Sequence, residues 1–195
     1  MPVPFSILVT FSFSSNPIKR EIVRRSMVGS YDPRTDHWRG FRSKATRYLH
    51  GNMPALDFMH YCAHDVHPSK QGSYSENASS LIRWVNNRSR TSMGIEKHDQ
   101  VVAGLDVRVN PEIHSLIDGT PYIIRLYNNI DPVELQLAQM HVHLLETAFR
   151  ATHPDHVIGL LDVRRERLFT GSANDNYQHI LENQASLWIH IASEL

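Results

Sequence analysis

A single cysteine, Cys62, in 195 residues leaves no intrachain disulfide and no zinc site made of thiolates alone. That usage suits a reducing compartment, and the cytoplasm is the expected location. Long apolar runs are lacking too. The opening stretch, MPVPFSILVTFSFSS, is too short and too serine-rich to cross a bilayer and has no basic leader, so neither a membrane partner nor an export signal is expected. There is no phosphate-cradling glycine loop, no GxSxG elbow, no HExxH pair and no acid-x-lysine motif. Without these, the composition points away from catalysis and toward binding.

Acidic residues are scarce in one region only. Residues 1–97 hold 14 Lys and Arg against 7 Asp and Glu, and residues 98–195 hold 6 against 13, so a net charge of zero conceals halves of about +7 and −7. Two outcomes fit this split: a polyanionic or acidic partner, or halves that neutralise one another within one fold. Between Asp36 and Asp57 there is no acidic residue, while Arg39, Arg42, Lys44 and Arg47 lie off the apolar stripe of a predicted helix. Arg83 and Arg88, with Asn87, face outward from another. These six cations are the expected contacts to nucleic acid or to an acidic protein surface.

The length fits one domain, 1–195, with a basic, mostly helical part over 1–92 and an acidic part over 93–195. Phe5, Ile7, Val9, Phe11 and Phe13 alternate with mostly Ser and Thr, which predicts a half-buried strand. Asn16-Pro17 opens a helix that stops before Gly29, Asp36 caps the next through Gly51, and Pro54 starts a third through His64. Residues 65–74 read as an exposed loop, and Ser75 caps a further helix. Residues 101–109 alternate as a strand. Ile113–Ile117 and Tyr122–Tyr127 flank the turn Asp118-Gly119 as a hairpin. Ile130, Asp131, Pro132, Glu134 and Leu135 form a capping box and hydrophobic staple for a buried helix through Arg150. Val157–Val163 is a strand continuing toward Phe169, and an apolar stripe from Tyr177 to Leu195 closes the chain as a helix. The order predicts an α/β fold, with α+β as the alternative: a helical N-terminal half on a small mixed sheet, with a buried crossover helix and a C-terminal helix.

On residues Val102-Ala103-Gly104-Leu105-Asp106 and Tyr122-Ile123-Ile124-Arg125-Leu126-Tyr127, the stretch Ser75–Val163 resembles the PD-(D/E)XK nuclease-like group. The first run is similar to that group's glycine-then-aspartate strand, and the second stands where its acid-x-lysine strand falls. Ile123 and Arg125 occupy the two decisive positions; isoleucine cannot hold a hard cation and arginine cannot act as a base. The resemblance implies a nuclease-like fold with a disabled or relocated site and nucleic-acid binding retained. The alternative it carries is a metal-dependent hydrolase, with Asp106, Glu112 or Asp162 at a Mg²⁺.

Thirteen histidines offer other chemistry. On a helix, Asp57, His60 and His64 share a face at spacings of three and four, the geometry of an alternative zinc site; Cys62 points away from it. His141 and His143, two apart, diverge, and His141 is expected as a hydrogen-bonded interior residue. His153-Pro154-Asp155-His156 reads as a turn. Leu105-Asp106-Val107-Arg108 recurs as Leu161-Asp162-Val163-Arg164, each copy placing an acid and an arginine on one strand face. The sequence thus favours a non-catalytic binding subunit with no cofactor, within a larger assembly or homo-oligomer. A purely structural, self-associating subunit is a further alternative.

Overall fold

The computed structural model describes residues 2–27, 36–86, 88–94 and 97–195; Gly29 and Asn87 lie outside them. The fold is α/β, with seven α-helices and two mixed sheets among the described residues. In chain order the elements are β1 (Val3–Pro4), α1 (Phe5–Phe13), α2 (Asn16–Met27), α3 (Arg39–Leu49), α4 (Ala55–His60) and α5 (Pro68–Asn86). Next come β2 (Arg90–Ser92), β3 (His98–Val102), β4 (Leu105–Val109), β5 (Ile113–Ile117), β6 (Thr120–Tyr127) and α6 (Leu135–Phe149). The chain finishes with β7 (Val157–Asp162), β8 (Arg167–Thr170) and α7 (Asp175–Ser193).

The larger sheet has the order β2-β5-β6-β7-β8. All its neighbours are antiparallel except β6 and β7, which run parallel, with α6 as the crossover between them. Alternation along β6 sends Ile123 to one face and Ile124 and Leu126 to the other. On the first face lie α1, α6 and α7, with Phe5, Phe11, Leu144, Phe149 and Trp188 in one core. On the second lie α3, α4 and α5, with Phe41, Phe58, Tyr74, Leu81 and Cys62 in another. The smaller sheet, β1-β4-β3, packs over the α1 side.

Five expectations are corrected. Residues 5–13 are helical, not a strand. Phe5, Leu8, Val9 and Phe11 are all buried, and α1 packs against α2, α6, α7 and β4, so burial on several sides overrides strand propensity. Two of its hydroxyls are satisfied within the helix: Thr10 donates to the Ser6 carbonyl and Ser12 to that of Leu8, both at 2.9 Å. The expected loop at 65–74 is mostly helix, because Pro68, which stops one helix, stands at the first position of α5, where its missing N–H costs nothing. Residues 98–109 fold as a hairpin, turning at Ala103 and Gly104 with positive φ. The capping box does not form: α6 starts at Leu135 after an extended Glu134, and Ile130 and Leu135 stay 59% and 58% exposed. Residues 163–166 likewise turn the last strand back as the β7–β8 hairpin, in which Gly159 is obligatory: a Cβ there would meet the Phe169 carbonyl oxygen at 2.5 Å.

The chain passes from the small sheet to the large one through Asn110-Pro111-Glu112, where a buried ion pair forms. Arg125 Nη1 donates to Glu112 Oε1 at 2.6 Å and to the Asn110 carbonyl at 2.8 Å, while Glu112 Oε2 accepts from the Leu126 amide at 2.9 Å. The guanidinium lies over the Phe5 ring, 5.2 Å from its centroid. Burial pushes the Glu112 carboxyl up, opposed by Arg125, by the Leu126 amide and by Arg42. The two tetrapeptide echoes form no internal pair: Arg108 bonds Asp99, Arg164 meets Glu76, and Asp162 bonds Arg165.

Inside α6, His141 donates from Nδ1 to the Leu137 carbonyl at 2.9 Å and packs edge-on to Phe5. His143, facing elsewhere, lies 3.0 Å from both the Gln178 side chain and the Asn174 amide. Both are interior; His141 is expected so from the sequence, and the two diverge as their spacing implies.

Removing Arg125 leaves a buried carboxylate without its partner. Arg125→Met is expected to cost about 3–5 kcal/mol in urea unfolding. Arg125→Met combined with Glu112→Gln is expected to recover part of it, since the amide oxygen still accepts from Leu126. A double variant no more stable than the single would contradict this account. Burial also pushes the His141 pKa from 6.5 down to about 4, with Arg125 adding to the shift against the Leu137 hydrogen bond. Between those values the unfolded chain binds a proton that the folded chain refuses. Stability is therefore full above pH 6.5 and lost as pH falls toward 4, by about 3 kcal/mol. Unfolding midpoints across that range are expected to flatten in His141→Gln; parallel pH curves would count against the assignment.

Candidate anion-binding cleft

The basic residues of α3 do not form one uniform face. Arg39 and Arg47 are exposed. Arg42 turns inward: its Nη2 meets Asp36 Oδ2 at 2.5 Å, and its Nε lies 3.9 Å from Glu112. Lys44 Nζ sits 4.7 Å from the centroid of the Tyr61 ring. On α5, Arg83 makes a two-pronged contact with Glu166 at 2.9 and 2.8 Å, and just beyond it Arg88 stacks 4.5 Å over Trp84. The halves therefore do compensate each other at Arg42 and Arg83, while Arg39, Arg47 and Arg88 stay at the surface.

Arg39 opens onto a cleft of about 420 Å³ between α3 and the start of α5, lined also by Asp36, Tyr61, Asp65, His67 and Lys70. Gly40 makes it possible. A Cβ at that position would sit 2.7 Å from the Tyr61 hydroxyl and 3.3 Å from that of Tyr74. Tyr74 anchors the wall, donating to the His37 carbonyl at 2.5 Å and stacking on Trp38 at 5.5 Å between centroids. Burial raises the pKa of both tyrosines, so their hydroxyls remain donors at neutral pH. Of the two carboxylates, Asp36 is committed to Arg42 and to the Trp38 amide at 3.1 Å. Asp65 Oδ2 lies 3.7 Å from His60 Nδ1. Lys70, Arg39 and the Tyr61 hydroxyl bring hydrogen-bond donors to the cleft, the groups an oxyanion requires.

The alternative metal residues are not gathered. Asp57, His60 and His64 are exposed. Beyond His60 the helix widens into a π-helical turn, Tyr61–Asp65, whose i→i+5 spacing brings Asp65 rather than Asp57 onto the rung next to His60. The His60 and His64 rings lie 4.9 Å apart. Asp106 is exposed on β4 in the small sheet, Glu112 is locked to Arg125 before β5, and Asp162 ends β7 bonded to Arg165, so these three carboxylates do not share a site.

Among the described residues, one group of three metal-ligating side chains does converge: His114, His153 and His156. The sequence reading misses it. His153 and His156 belong to the turn between α6 and β7, and His114 sits about 40 positions earlier on β5. Burial first, then the neighbouring His153, His114 and Arg150, push the His156 pKa down.

No protein-family model matches this chain, and no match to a curated protein or to a solved structure is found.

Cys62 lies fully buried in the α3–α5 core, and burial pushes its thiol up to about 12. It is no nucleophile at neutral pH. A maleimide reagent is expected to label it only in denaturant; rapid labelling of the native protein would contradict its burial.

Proposed function

We propose that the protein is a non-catalytic binding subunit that engages a phosphate-bearing partner, nucleic acid, through the cleft between α3 and α5 and the exposed cations beside it. The carrying observation is that Arg39 and Lys70 come from two different helices to line one cleft with the Tyr61 hydroxyl, while Asp36 is already taken up by Arg42. Arg47, exposed on α3, supplies a further cation for a partner larger than the cleft. Contacts of this kind position a phosphate backbone and carry no base readout, so sequence-independent binding follows. Asp106, Glu112 and Asp162 lie apart, which supports binding over hydrolysis.

The reading is tested by titrating a fluorescent single-stranded oligonucleotide against the full chain at several salt concentrations. Binding is expected to weaken steeply with salt, with a slope of roughly 0.7 per phosphate neutralised on a single strand. Arg39→Glu with Lys70→Glu is expected to weaken it and flatten that slope, whereas Arg108→Glu, on the exposed face of β4, leaves both intact. Equal effects from the two variants would overturn the proposal. Binding to an acidic peptide but not to the oligonucleotide would redirect it to a protein partner.

A further inference from the structure

We propose that His114, His153 and His156 form a binding site for a zinc-class transition-metal dication, with three imidazole ligands from the protein and the fourth position left to solvent. This site is separate from the α3–α5 cleft in residues and in chemistry.

Each ligand has a structural reason for its place. His114 is buried on β5, whose register pairs it with Ile123 and so puts it on the α6 face of the sheet. His153 and His156 follow the end of α6, and β7 begins at Val157 beside Tyr122 of β6. The antiparallel β5–β6 pair and the parallel β6–β7 pair together bring a turn late in the chain against a strand well before it.

The geometry is that of a coordination face. The Nε2 atoms of His114 and His156 lie 3.2 Å apart. Two nitrogens bound at 2.0–2.1 Å to one tetrahedral ion are separated by about 3.3 Å, so this spacing already suits a shared ion. The three rings form a near-equilateral set, with centroids 5.2, 5.2 and 4.7 Å apart. One ligand atom from each lies within 4.8 Å of the others. The Thr152 hydroxyl is 2.8 Å from His153 Nδ1 and fixes the ring in the manner of an outer-shell partner.

The turn that carries His153 and His156 is itself held in place. Arg150 binds the buried Glu146 carboxylate through Nε and Nη2, both at 2.8 Å. Its Nη1 then reaches the carbonyls of His153, Pro154 and His156 at 3.4, 2.6 and 3.0 Å. The turn that presents two of the three imidazoles is thereby fastened from inside the fold. Such pre-organisation lowers the ordering cost that a ligand set on a loose loop would meet on binding.

Ligand chemistry selects the ion. Three neutral nitrogen donors suit Zn²⁺, and also Co²⁺ or Ni²⁺ as probes, whereas Mg²⁺ and Ca²⁺ demand oxygen ligands. Three protein ligands, rather than four, are the arrangement that leaves an exchangeable position on the metal.

The test uses the full chain freed of metal with a chelator. Calorimetric titration with Zn²⁺ is expected to give one ion per chain, Co²⁺ to give the visible spectrum of a four-coordinate nitrogen site, and Mg²⁺ to give no heat. His153→Ala with His156→Ala is expected to abolish both signals, while His60→Ala with His64→Ala, exposed at the end of α4 and in the π-helical turn after it, leaves them unchanged. The melting temperature of the unaltered chain is expected to rise with added Zn²⁺ and not with Mg²⁺. Absence of a four-coordinate Co²⁺ spectrum in the unaltered chain overturns the proposal whatever the variants do. So does Zn²⁺ binding that survives His153→Ala with His156→Ala, or that is lost in His60→Ala with His64→Ala.

Discussion

The Glu112–Arg125 pair is the joint on which the rest of the molecule is assembled. It sits where the chain leaves the small sheet for the large one, and its atoms tie together the connecting carbonyl of Asn110, the β5–β6 pairing through the Leu126 amide, and α1 through the Phe5 ring. Arg42 extends the array to α3, on the opposite side of the sheet. Hydrophobic contact alone would let two cores slide over a shared sheet. Displacing either partner of this desolvated pair would strand a charge, which ties the placement of the layers to it.

This joint also explains what the charge split between the halves achieves. Part of it is internal: Arg42 with Glu112, Arg83 with Glu166 and Arg20 with Glu194 each join a cation of the first half to an acid of the second. The exposed members of that set contribute little to stability individually. Other cations of the first half, Arg39 and Arg47 among them, stand exposed at the surface of α3, so the sequence total overstates the charge that the fold leaves outward.

Legibility in the sequence followed the range of the forces involved. Elements set by local chemistry were readable: the proline that opens α2, the Asp118-Gly119 turn between β5 and β6, and the long apolar arc of α6. Those decided by distant packing were not. The alternation of Phe5 to Phe13 is a genuine strand pattern, and only the surrounding helices make it helical. Pro68 was readable as a stop, but not as the start of α5. For the candidate sites the same division holds. An acid-free run around α3 marked the basic surface, yet nothing local showed that Arg42 would be drawn inward. The three converging histidines depend on a parallel pairing of β6 with β7, a contact that no local spacing rule encodes.

The position of α1 sets the order in which the chain can complete itself. This nine-residue segment, almost wholly apolar apart from hydroxyls, is covered by α6 and α7, and Phe11 rests 5.0 Å from Trp188 between ring centroids. At typical synthesis rates of roughly 5–20 residues per second, on the order of ten seconds or more separate the appearance of α1 from that of the helix that shields it. Throughout that interval a sticky nascent helix has no permanent cover. The α1 surface that Phe11 presents to Trp188 is thus completed only once α7 has been made.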